Sequence, residues 1–180
     1  PELARVFDIG CSSAAPFSAG GVVTLLSKKW IGVDCAVDHA TVVEGRVLRS
    51  CIQQGAHTLV LWNVHNHDLN DIATPVIETQ LGNDLSAAGR RPHERLVVCG
   101  GDFNYVSAGE ATLRPEEVAA AAAGAGVARV EPVRPLQTFW TRFRNCVEIS
   151  CDAPSHYYAA SNSFNRIYKW FVSLPPWMLT

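Results

Sequence analysis

The sequence predicts an α/β fold built on a mixed sheet, and three observations carry that expectation. First, short β-branched apolar runs follow one another closely: Val22-Val23-Thr24-Leu25-Leu26, then residues 41–49 split by a Glu44-Gly45 turn, then Thr58-Leu59-Val60-Leu61-Trp62-Asn63-Val64-His65. Such runs with few helices between them suit antiparallel ladders in a mixed sheet. Second, between Asp68 and Ala88 the apolar period becomes helical, with Leu69, Ile72, Val76, Ile77, Leu81 and Leu85 recurring at three- and four-residue steps. Third, the apolar run Leu96-Val97-Val98-Cys99 is broken by Gly100-Gly101 and followed by Asp102-Phe103-Asn104, the pattern of a buried strand that ends in polar groups.

Each element can be justified in order. Residues 5–19 are short, mixed and rich in small side chains, which predicts a loop or edge segment with no helical entry signal. Gly20-Gly21 leads into the strand at 22–26, and Ser27-Lys28-Lys29 closes it. Trp30 to Val37 reads as a further short strand. The helix is expected to start near Thr74, because Pro75 is tolerated in a first turn but not in a helix interior. It is expected to end at Gly89-Arg90-Arg91-Pro92. Arg114-Pro115-Glu116-Glu117 opens an alanine run closed by Gly124, a short helix whose ends and propensity explain its composition. Residues 138–143 and 164–171 complete the expected strands.

A chain of 180 residues without a linker or internal repeat is expected to form a single domain, 1–180, with a substantial core. With 48% hydrophobic and 18% charged residues, disorder is excluded. The net charge of -2 gives no global basic field for a polyanion, so a nucleic acid would need a local patch or a bound cation. Cysteines 11, 35, 51, 99, 146 and 151 form no Cys-x-x-Cys pair and several lie in apolar runs, which predicts reduced thiols in an intracellular protein. No apolar run is long enough to span a bilayer, so no membrane partner is expected.

Two strand ends carry the candidate chemistry. In extended chain, Asp102 and Asn104 share one side while Phe103 faces the other as an anchor. The preceding glycines permit close backbone approach and dihedrals that a Cβ resists. Asn63, His65 and His67 alternate onto one side in the same way. A turn-capping Asp and Asn, or a single structural histidine, would account for either end alone. Three polar groups closing an apolar strand are costly to bury unpaired, which favours a site. The contiguous His65-Asn66-His67 spells the name of another nuclease class, but that class needs dispersed residues on a different fold.

The words Gly101-Asp102-Phe103-Asn104 resemble the Gly-Asp-Phe-Asn motif of the endonuclease/exonuclease/phosphatase superfamily, which includes retrotransposon endonucleases and deoxyribonuclease I. Asn63-Val64-His65 resembles the family's Asn-x-His element one helix upstream. Gly20 to Leu26 resembles its central strand, and Ser163 to Tyr168 its Ile-Asp-Arg-Ile-Tyr strand; together the resemblance covers residues 18–177. It implies a two-sheet α/β sandwich, deoxyribonuclease I-like and incomplete at both ends, that hydrolyses phosphodiesters in nucleic acid, with DNA as partner and Mg²⁺ (or Mn²⁺) as cofactor.

By that resemblance Asp102 holds the metal and activates or positions water. Asn104 fixes geometry on a non-bridging oxygen, and His65 stabilises charge developing on phosphorus. Asn63 and Arg166 contact substrate. Arg46, Arg142 and Arg166 could contact phosphates, but a solvated surface arginine is the ordinary reading of each. The family's early Asn, metal-binding Glu and late Ser-Asp-His have no counterpart, and Asn165 stands where an aspartate orients the late histidine. The implied activity is therefore weak or absent. A phosphatase or sphingomyelinase-like hydrolase on the same fold and a non-catalytic binding domain are the alternatives.

Overall fold

The computed structural model describes residues 2–13, 20–66, 69, 72–103, 116, 146–149, 156–159, 163–165 and 168–174. In chain order these form α1 (Leu3–Val6), β1 (Phe7–Ser13), β2 (Gly21–Ser27), α2 (Lys28–Ile31), β3 (Ala36–Val43), β4 (Val47–Gln54), β5 (His57–His65), α3 (Ala73–Arg90), β6 (Arg95–Asp102), β7 (Val147–Glu148), β8 (His156–Tyr158), β9 (Ser163–Asn165) and β10 (Tyr168–Val172). A six-stranded sheet in the order β3-β4-β5-β6-β10-β7 forms the centre, with β1-β2 and β8-β9 as separate two-stranded ladders. Strands β5 and β6 are parallel, and the other pairs are antiparallel. The helix α3 makes the crossover that a parallel pair requires.

Alternation along β5 assigns the two faces of the central sheet. Val60, Trp62 and Val64 are buried with Val97, Cys99, Ile77 and Leu81, so these positions meet α3. Leu59 and Leu61 pack with Leu26, Ile31 and Ile52, so the opposite face meets the β1-β2 ladder. The expected sandwich of sheets with helix outside is present.

Polar contacts join the layers. Asp84 of α3, 5% exposed, accepts from Arg49 Nε at 2.8 Å and Arg49 Nη2 at 3.0 Å, from Arg95 Nη2 at 2.6 Å and from Trp62 Nε1 at 3.0 Å. One carboxylate thus ties the helix to β4, β5 and β6. On the other face, His39 Nε2 lies 2.8 Å from Asp8 Oδ1 and Nδ1 lies 2.8 Å from Ser50 Oγ. Because the carboxylate only accepts, the ring donates from Nε2, and a neutral ring then accepts the Ser50 hydroxyl at Nδ1.

Several expectations need correction. The expected strand from Trp30 to Val37 is instead the helical turn α2, a turn at Gly32 (φ 77°) and the first residues of β3. Trp30 and Val33 are exposed, so their apolar character does not mark a buried strand. The segment from residue 5 begins in α1 and continues as β1, an edge strand of the small ladder. Residues 164–171 divide between β9 and β10 rather than forming one strand. The expected helix at 114–124 and strand at 138–143 lie outside the described residues, apart from Glu116, which is helical. No helix among the described residues is long and apolar enough to cross a membrane.

Candidate active site

The site lies where β5 and β6 end side by side. Their parallel register pairs Asn63 with Gly100, Val64 with Gly101 and His65 with Asp102. Paired residues of a parallel ladder point to the same face. His65 and Asp102 therefore stand together on the face opposite α3. Phe103, the next residue, turns the other way, is fully buried and packs edge-on against Phe171 at 5.3 Å between ring centroids. The anchor expected beneath the carboxylate is in place.

Local chemistry explains how the strand ends are held. Gly101 has φ 139°, and a Cβ there would collide with the carbonyl oxygen of Val64. Glycine thus lets β6 close against β5 one residue before Asp102. A Cβ on Gly100 would strike the Trp170 ring. The backbone N–H of His65 donates to Arg46 O at 2.8 Å, and that of Asn66 donates to Asp102 O at 2.7 Å. Asn66 Nδ2, on a side chain 6% exposed, donates to Phe103 O at 2.7 Å. Asn66 thus clamps both strand ends, a positioning role the sequence reading missed. Its carboxamide between two histidines was the available signal.

Other expected site residues divide. Asn63 is on the His65 face, and its Nδ2 donates to Val23 O at 2.9 Å and lies 3.4 Å from Thr24 Oγ1. That nitrogen fastens the central sheet to β2 below the site. Arg46 is half-buried, with Nη1 enclosed against Gly20, and so is not a solvated surface arginine. Tyr168 pairs with Asp102 across the other edge of β6. Asn165 lies in β9 opposite His156. Asn104, His67, Arg142 and Arg166 lie outside the described residues.

No family model and no curated protein matches the chain. Solved structures do. The endonuclease domain of TRAS1, a telomere-specific non-LTR retrotransposon, matches at TM-score 0.52 and 13% identity over 99% of this chain and 71% of that one. The fold is deoxyribonuclease I-like. Humanized D. rerio TDP2 matches over 94% of this chain at 14% identity and TM-score 0.44, and truncated C. elegans TDP2 over 97% at 18% and 0.47. The chain spans 62% and 64% of those two proteins.

A magnesium ion takes oxygen ligands and keeps several waters. Among the described residues no group of three or more His, Cys, Asp or Glu side chains converges to hold an ion. Asp102 and His65 set a carboxylate beside an imidazole at the strand ends. A carboxylate can orient and deprotonate water, and an imidazole can donate to an oxyanion.

Proposed function

We propose that the chain is a weak phosphodiester hydrolase acting on nucleic acid, with DNA as its partner. The observation that carries this reading is the register pairing of His65 with Asp102 at the polar ends of two parallel strands, within a nuclease-like fold. Asp102 positions and deprotonates the attacking water. His65 donates to the phosphoryl oxygen on which charge develops, and Asn104 holds a second oxygen of the same phosphate. Asn63 and Arg166 act as substrate contacts. By resemblance, Asp102 would hold Mg²⁺ or Mn²⁺, which would supply positive charge beside the phosphate. The domain is taken as residues 1–180 and the compartment as intracellular.

The purified chain should nick supercoiled plasmid slowly when Mg²⁺ or Mn²⁺ is present. Asp102→Ala should lower that rate by about a hundredfold, the lower end of what a positioned base contributes. Nicking that persists unchanged in the variant, or no nicking with either ion, overturns the proposal. A parallel panel of phosphorylated lipids and sugars separates the nuclease from a phosphatase on the same fold.

A further inference from the structure

The end of the sheet opposite the candidate site carries a second concentration of charge. A cavity of about 260 Å³ is lined by Ala56, Thr58, Ala87, Arg90, Arg91, Glu94 and Arg95. It sits at the start of β5 and β6 and the end of α3. Thr58 and His65 are seven residues apart on β5, so the two sites are separated by about 23 Å of strand.

The ordinary explanations account for each arginine singly. Arg90 stands in the last turn of α3, where a cation complements the helix end. Arg91 makes an exposed pair with Glu94 at 3.3 Å, a contact worth little. Arg95 shares Asp84 with Arg49. Together they leave a surplus. Among the described residues the lining holds three arginines, Arg90, Arg91 and Arg95, and one carboxylate, Glu94, while Asp84, bonded to Arg95, is shared with Arg49. The helix end contributes about half a negative charge, too little to cancel the excess of cations in the lining.

Geometry adds a second observation. Backbone N–H groups of Glu94 and Arg95 both donate to Arg91 O, at 3.0 and 2.9 Å, and Thr58 N–H donates to Glu94 O at 2.7 Å. This turn fixes the backbones of Arg91 and Arg95 around the cavity wall. Guanidinium forks match phosphate oxygens better than point charges do.

We infer that this cavity binds a phosphate group through Arg90, Arg91 and Arg95. The same chemistry is offered by a nucleic-acid backbone and by a free phosphate or nucleotide. The reading does not depend on activity at Asp102. Titrating the full chain with inorganic phosphate should shift the NMR resonances of the Thr58, Glu94 and Arg95 amides, and the shifts should saturate. The double variant Arg90→Gln/Arg91→Gln, at two exposed positions, should weaken phosphate binding by about tenfold or more. The control Arg5→Gln/Lys29→Gln, which removes equal charge elsewhere, should leave it unchanged.

A single-stranded oligonucleotide distinguishes the sources. Backbone binding predicts that the arginine double variant also lowers the salt slope of oligonucleotide affinity by about 1.4, or ~0.7 per phosphate. A free phosphate ligand predicts loss of phosphate binding with that slope intact. Non-saturating shifts, or equal weakening in both double variants, overturn the inference.

Discussion

At the scale of single residues, the site rests on positions whose neighbours leave little freedom. Gly101→Ala forces a Cβ against the Val64 carbonyl at a positive φ. It should destabilise the chain by about 2 kcal/mol or more, read as a lower urea midpoint, if strained backbone costs its usual amount. An unchanged midpoint would show that β5 and β6 do not approach so closely there. Thiol chemistry gives an independent reading of burial. Burial pushes the Cys146 thiol up to about 11 and the Cys99 thiol well above its ordinary value. Raised thiols stay protonated at moderately alkaline pH, so alkylation at about pH 8 should label exposed Cys11 first and spare Cys99 and Cys146, as mass spectrometry can verify. Rapid labelling of Cys99 would contradict the packing beneath β6.

At the scale of elements, α3 is held by the Asp84 network. Burial alone would raise the Asp84 carboxyl, but the hydrogen bonds and charge of Arg49, with bonds from Arg95 and Trp62, outweigh it and hold the group below the usual range. A lowered folded-state value means that this stabilisation is complete above the unfolded carboxyl value of about 4 and is lost as pH falls through the folded one. Asp84→Asn should therefore flatten the acid limb of a thermal-stability profile, and Asp84→Ala should cost about 3 kcal/mol by stranding two guanidiniums. An acid limb identical to the parent's would remove Asp84 from that role. This network also shows where sequence reading stops. The alternation of Asp102 with Phe103, and of Asn63 with Val64 and His65, is written in adjacent residues and was legible. The helix over Ala73–Arg90 was legible from its period, including its stop before Pro92. Asp84 meets Arg49 and Trp62 across 35 and 22 residues of chain, and no local pattern records such a meeting. The same holds for Asn66, which reaches Phe103 across 37 residues. At Trp30–Val37 the local signal misled, because Trp30 and Val33 face solvent and a positive-φ glycine turns the chain.

The molecule as a whole is a sandwich whose layers are pinned by a few polar contacts, with the polar ends of β5 and β6 side by side in the central sheet. His39 joins Asp8 of the small ladder to fully buried Ser50 of the central sheet. His39→Ala should strand that hydroxyl at a cost of about 1–3 kcal/mol. Hydrogen exchange should then quicken in β1 and β2 but not in β5 and β6. Equal quickening everywhere would mean that the layers unfold as one unit. The fold came from the order and period of the strands; the pairing of His65 with Asp102 came only from the sheet. Whether these two residues act as one site is the question on which the functional reading turns. The most direct measurement is a double-mutant cycle on plasmid nicking with His65→Ala, Asp102→Ala and the pair. Groups that serve one transition state are strongly non-additive, so the pair should be no slower than the slower single variant. Rate losses that simply multiply, or a rate untouched by either change, would contradict a shared site at the ends of β5 and β6.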